Sequence, residues 1–155
     1  MHIEEYDGDR KQLLELFALA DDSPAQIAGY IGLGEVLVAR DGGAIVGHLQ
    51  LIETDDVPVF ELKSIAVTEA RQGQGIGRML VEAAIARCRQ RKGRKLIVST
   101  AAAATGNLRF YQRQGFRMHR IVRDAFGPAT GYAAGTLVDG IPLRDQVFLE
   151  LDLKG

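Results

Sequence analysis

A single cysteine, Cys88, stands among 155 residues. An internal disulfide is therefore excluded, and a reducing compartment is expected. Cys88 lies within a helical pattern with no histidine or other base near it in sequence, so it reads as a small buried apolar residue rather than a nucleophile. No window approaches the eighteen apolar residues that a membrane-spanning helix needs, and the first residues lack a basic-then-apolar leader. A cytoplasmic location with no membrane partner is expected. There is no excess of either charge, with 19 Lys and Arg against 20 Asp and Glu, so bulk electrostatics give no sign of a nucleic-acid partner. Internal repeats and low-complexity linkers are also missing. The length suits one domain over residues 1–155 with a core of its own.

What is present is a glycine-rich turn, Arg71-Gln72-Gly73-Gln74-Gly75-Ile76-Gly77-Arg78, between an extended run ending Ile65-Ala66-Val67 and a helical pattern from Ile76 to about Arg91. Strand, glycine turn and helix gather backbone N–H groups around an anion. The first helical turn has unpaired donors and the positive end of the dipole, and glycines let a phosphate approach the main chain. A P-loop requires Gly-Lys followed by Ser or Thr, and here Gly77-Arg78-Met79 excludes it. A dinucleotide fingerprint requires G-x-G-x-x-G with a later acid. This turn reads G-x-G-x-G, and the next strand, Leu96 to Ser99, ends without one.

The elements follow a mixed order. Ile3–Tyr6 is a short extended start, and Asp9 caps a helix carrying Leu13, Leu16 and Phe17. Ser23-Pro24-Ala25-Gln26 reads as a capping box opening a helix with Ile27, Tyr30 and Ile31. Val36–Arg40 and Ala44–Glu53 flank the hairpin turn Asp41-Gly42-Gly43, and Val59–Val67 follows, giving three antiparallel strands before the glycine turn. Lys95–Thr100 is expected to run parallel to its predecessor across a helical crossover. A helix over Gly106–Gln114 and a closing strand pair, Phe116–Arg123 and Gln146–Leu153, complete the chain. The fold class is α/β of the mixed α+β kind.

A second block, Asn107-Leu108-Arg109-Phe110-Tyr111-Gln112-Arg113-Gln114-Gly115-Phe116, puts Asn107 and Tyr111 one turn apart on one helix face. Together, Gln72-x-x-Gly75-x-Gly77 and Asn107 to Phe116 resemble the signatures of the GCN5-related N-acetyltransferases, the GNAT family, in bacterial members of which the last third has similar features. The resemblance covers about Glu61 to Phe116. It implies a mixed, mostly antiparallel sheet of about seven strands flanked by about four helices. It also implies acetyl-CoA as co-substrate, no metal, and a homodimer as a family-level option.

The resemblance further implies residue roles. Residues 72–78 (Gln72, Gly73, Gln74, Gly75, Ile76, Gly77 and Arg78) hold the diphosphate, and pantetheine pairs with the edge Ile65-Ala66-Val67. Asn107 contacts the cofactor, and the Tyr111 hydroxyl points at the thioester sulfur. Taken alone, Tyr111 reads better as a core residue with a wet hydroxyl than as a catalytic one; beside the glycine turn the catalytic role is the better reading. The reaction is attack of a neutral amine on the acetyl carbonyl, through a tetrahedral oxyanion, with the thiolate leaving. A backbone N–H near Ile65 or Ala66 would stabilise the oxyanion, and Tyr111 would protonate the thiolate. For the base, strand alternation puts Glu61 on one face with Lys63, Ile65 and Val67. It serves directly or through a water, or it is merely a carboxylate solvated beside Lys63. Glu53 and His48 are the other candidates. Arg109, Arg113, Arg117, Arg120 and Arg123 form a basic stretch that, like Arg71 and Arg78, offers candidates for the 3′-phosphate, although a solvated basic face is the better reading for most of the five. In the long segment Asp124–Asp145, Tyr132, Arg144 and Asp145 are candidate acceptor contacts.

The expected function is acetylation of a small-molecule amine. The alternatives are a non-catalytic acyl-CoA-binding regulatory module, and an acyltransferase with another acyl donor or with a protein N-terminus or lysine as acceptor.

Overall fold

A two-residue turn with both glycines in the left-handed region, Gly42 at φ 59° and Gly43 at φ 91°, joins β2 (Glu35–Asp41) to β3 (Ala44–Glu53). Positive φ at both positions matches the right-handed twist of the flanking strands, which is why glycines stand there. Around this hairpin the computed structural model, which describes residues 1–154, builds a seven-stranded sheet. The other strands are β1 (His2–Glu5), β4 (Val59–Val67), β5 (Lys95–Ala101), β6 (Arg117–Val122) and β9 (Gln146–Asp152). A separate small hairpin, β7 (Leu137–Val138) with β8 (Ile141–Pro142), lies in the long segment before β9.

The sheet order is β1-β2-β3-β4-β5-β9-β6, with β4 and β5 the parallel pair and every other neighbour antiparallel. This is the expected mixed α/β architecture. Four strands rather than three precede the glycine turn, because the extended start pairs with β2. The chain's last strand inserts between β5 and β6 instead of forming the sheet edge.

Four helices cover the two faces. α3 (Ile76–Gln90) and α4 (Thr105–Arg113) lie on one side, where Leu80, Val81, Ala84 and Tyr111 join Leu49, Leu62, Leu96 and Leu149 in the larger core cluster. α1 (Leu14–Ala20) and α2 (Pro24–Tyr30) lie on the other, where Phe17, Ile27 and Tyr30 meet Val36 and Val38. Cys88 is fully buried in the larger cluster, and burial pushes its thiol up to about 12, which fits packing and not nucleophilic work. Asp9 caps a short turn, Arg10–Leu13, leading into α1. Ser23 caps α2 by accepting from the Gln26 N–H at 3.2 Å. The reciprocal half of the expected capping box is absent. The Gln26 amide instead donates to the Thr130 carbonyl at 3.0 Å, 104 residues away, and the Ser23 N–H donates to Asp21.

One irregularity decides which residues face which side. Gln50 pairs with Ser64 but Leu51 pairs with Leu62, so Lys63 is an extra residue in β4. This bulge resets the alternation. Phe60 and Leu62 before it, and Ile65 and Val67 after it, all belong to the α3 side. Glu61, paired with Ile52, therefore faces the α1–α2 side, opposite Ile65 and Val67, and the expectation that it shares their face is corrected.

Leu80, with no exposed surface, fills the contact between α3 and the sheet. Leu80→Ala is expected to cost about 2–5 kcal/mol, read as a lower urea midpoint with an unchanged slope. An unchanged midpoint would mean that α3 does not pack as described.

Candidate active site

The site begins where β4 and β5 separate. They pair from Val59 with Lys95 to Leu62 with Val98, and no further, although β4 runs on to Val67 and β5 to Ala101. On its other side β4 keeps its partner, with His48 opposite Ala66 and Gly47 opposite Val67. The Thr68 N–H donates to the Val46 carbonyl at 2.9 Å. Alternation from that bond turns the amides of Ser64 and Ala66 toward β3, and those of Ile65 and Val67 toward the opening. Of the two sequence candidates for an oxyanion donor, Ile65 therefore faces outward and Ala66 does not.

Beyond Val67 a single turn, Glu69–Arg71, leads into the glycine run. Gly73 and Gly75 are left-handed, at φ 79° and 83°, and Gly75 is the residue from which α3 starts, with no side chain capping it. The first backbone bond of the helix is Met79 N–H to the Gly75 carbonyl, at 3.1 Å. Among the described residues, the N–H groups of residues 73–78 have no acceptor. Six free donors thus lie at or next to the positive end of a 15-residue helix, an arrangement suited to an anion. The loop is held from outside. Arg71 pairs with Asp41 at 2.8 Å and with the Gln74 side chain at 3.0 Å, and the Gln72 amide donates to the Val67 carbonyl at 3.0 Å. Gln72 and Gln74 therefore shape the turn, while Arg78 reaches only its helix neighbour Glu82.

A cavity of about 1370 Å³ runs from this turn through the strand opening to α1 and α2. Ile65, Ala66, Val67, Gln72, Gly73, Gly75, Ile76, Gly77, Arg78, Asn107 and Tyr111 all line it; of the residues expected to hold a cofactor, only Gln74 does not. Tyr111 is 5% exposed, wedged edge-on between Phe110 and Phe116 with ring centroids 5.3 and 5.7 Å away. Burial raises its pKa, so the phenol keeps its proton. Asn107 donates to Thr100 at 3.1 Å, tying α4 to the end of β5. Arg109 and Arg113 line the cavity too, whereas Arg120 stacks on Phe148 at 4.1 Å on another part of the sheet.

The other half of the cavity is built by residues that sequence reasoning mostly missed. Asp21, at the end of α1, accepts from the Tyr30 hydroxyl at 2.9 Å, the Tyr132 hydroxyl at 2.8 Å and the Ser23 N–H at 3.0 Å. Through Tyr132 and the Gln26–Thr130 bond, the long segment before β9 is fastened over α2. Burial, and then Asp21, raise both tyrosine pKa values, so both phenols remain donors. The Asp-Asp pair preceding a helix-capping serine is the only sequence sign of this hub. Tyr132 lines the cavity as expected. Arg144 and Asp145 do not; they brace the segment, Arg144 against the Asp124 carboxylate at 3.3 Å and Asp145 against the Asp124 N–H at 2.9 Å.

The candidate bases differ sharply. His48 is fully buried, bonded to Ser64 at 2.8 Å and stacked 4.3 Å from Phe17, with its pKa lowered to about 3 by burial. It is a neutral structural imidazole. Glu53 is tied to Arg91 at 3.1 Å. Glu61 is half-buried on the α1–α2 face and does not line the cavity; it sits on the closed part of the sheet beside Ile97. Burial raises its pKa, and Lys63 partly offsets the rise. Among the described residues no group of three or more His, Cys, Asp or Glu is placed to hold a metal, and no helix is long and apolar enough to cross a membrane.

Comparison with known proteins gives this geometry a lineage. Residues 4–116 match the acetyltransferase (GNAT) family. YvbK of Bacillus subtilis (strain 168), described as an uncharacterized N-acetyltransferase, is 35% identical over 158 residues, covering 99% of this chain and 97% of YvbK. A Bacillus subtilis acetyltransferase solved in complex with CoA superposes with a TM-score of 0.89 at 31% identity, covering 99% of each chain. A GNAT acetyltransferase from Elizabethkingia anophelis with acetyl-CoA bound gives 0.88 at 30% identity, covering 97% of each. The chain belongs to the acetyltransferase (GNAT) family.

Proposed function

We propose that this chain, acting as one domain, transfers the acetyl group of acetyl-CoA to a primary amine of a small molecule by direct attack. One observation carries the reading. The edge of β4 at Ile65 and Val67, the residues Gly73, Gly75, Ile76, Gly77 and Arg78 with unpaired N–H groups, and Tyr111 all border one cavity. The donor set suits a diphosphate followed by an amide-bearing arm. Charge meets the start of α3, and the arm's amides meet main-chain groups of β4 as an added strand would. When bound, acetyl-CoA supplies an activated acyl carbon and a good leaving group.

The remaining tasks fall to side chains and backbone of this protein. The Ile65 N–H faces the opening and stabilises negative charge on the acyl oxygen. Tyr111, kept neutral by burial, donates its proton to the departing sulfur. Glu61 takes the amine's proton through a water, since the residue does not line the cavity. Its raised pKa makes it a better proton acceptor than an ordinary carboxylate, and it works only when ionised.

Turnover is tested by following free CoA release from acetyl-CoA across a broad panel of amines, with no release from any of them contradicting the reading. Tyr111→Phe is expected to lower kcat by about 10²-fold with little change in CoA affinity. An unchanged kcat would remove the phenol from the proton step. Glu61→Gln is expected to lower kcat and to abolish the acid limb of the kcat/KM profile. In the parent enzyme that limb lies above the ordinary carboxylate range, because activity is lost as pH falls through a raised pKa. A limb that persists in Glu61→Gln assigns the base elsewhere.

A further inference from the structure

The acceptor half of the cavity contains one cation, Lys63, and it makes no ion pair among the described residues. Its position follows from the bulge: as the extra residue of β4, Lys63 turns to the α1–α2 side, where its ammonium lies 4.8 Å from the centroid of the Tyr30 ring. That ring is fixed in turn by the bond from its hydroxyl to Asp21. Lys63 is solvent-exposed, and its ammonium rests over the Tyr30 ring as a point charge on a wall of the cavity.

The carboxylates nearby do not neutralise it. Asp21 already accepts from two phenols and a backbone N–H. Asp22 stands at the exposed rim of the turn. Glu61 precedes Lys63 by two residues and makes no ion pair with it, although the ammonium lowers the carboxyl pKa against the larger rise from burial. Opposite, Phe126 and Tyr132 meet edge-on with ring centroids 5.1 Å apart and give an apolar wall.

Resting on the acetyltransferase reading above, we propose that Lys63 binds a carboxylate carried by the acceptor, so that the preferred substrates are amino-acid-like amines. Lys63 lies two residues before Ile65, about 7 Å along the strand. Both residues line the same cavity, so an acceptor paired with Lys63 keeps its nitrogen in the space bordered by the Ile65 edge. Amines that carry only positive charge meet the Lys63 ammonium as a like charge.

The test uses the full chain and acetyl-CoA, following free CoA. Each amino acid of a panel is paired with its decarboxylated amine and its carboxamide. The carboxylate-bearing member is expected to have a kcat/KM higher by at least about tenfold, the loss typical when one partner of a close charge pair is removed. Lys63→Ala is expected to raise its KM by a similar factor with little change in kcat, and to erase the preference. Lys63→Arg should restore it. Equal rates for the three members, or a Lys63→Ala variant that slows all three alike, would overturn the proposal and reduce Lys63 to a prop for Tyr30. A panel led by the decarboxylated amines would overturn it while leaving the acetyltransferase reading in place. No turnover of any amine, with CoA still bound in calorimetry, would bring down that reading and this inference together.

Discussion

The functional architecture depends on one broken ladder. Two parallel strands share four paired positions and then part, leaving Ile65 and the Val67 N–H without a strand partner on that side, while the Val67 carbonyl accepts from the Gln72 amide. Buried backbone groups without partners are costly, so a strand edge inside a fold is retained where something else completes it. Everything else in the cavity is arranged around that edge. α3 starts just beyond its end, α4 brings Tyr111 to its far side, and α1, α2 and the segment before β9 close the face beyond the bulge.

The two halves of the cavity use different physics. At the glycine turn, attraction comes from backbone N–H groups and a helix dipole, which no side-chain substitution elsewhere can supply. The residues with the most prominent side chains there, Arg71, Gln72 and Gln74, are spent on holding the turn's shape. In the other half, side chains supply the polar groups. A carboxylate satisfied by three donors orients two phenols, and a lysine set out by a strand bulge is left uncompensated. The first half is suited to a fixed ligand, the second to one that differs between enzymes built on the same frame.

Much of this was legible in the sequence, for definable reasons. The glycine turn and the Asn107–Tyr111 spacing are local, and local geometry follows from local residues, so the residues lining the glycine-turn half of the cavity were readable almost completely. The hairpin at Asp41-Gly42-Gly43, the parallel crossover and the helix starts at Asp9 and Ser23 were readable on the same grounds. The bulge at Lys63 was not. Period-2 alternation carries no mark of an inserted residue, so Glu61 was expected on the wrong face relative to Ile65. The Asp21 hub was missed because its partners lie 9 and 111 residues away. Gln26 looked like half of a capping box because the competing acceptor, the Thr130 carbonyl, is distant in sequence. Arg144 and Asp145 were expected to face the acceptor, yet their nearest charge and N–H are those of Asp124 across the neck of the same loop.

The central claim is that backbone nitrogens of residues 73–78 bind a diphosphate while the edge of β4 takes the arm attached to it. Isothermal titration of the full chain with CoA, and separately with pantetheine, which lacks the diphosphate, addresses it directly. The account predicts saturable heat at one CoA per chain, and pantetheine weaker by at least about tenfold, a difference of roughly 1.4 kcal/mol. No heat with CoA, or equal affinity for the two ligands, would contradict it.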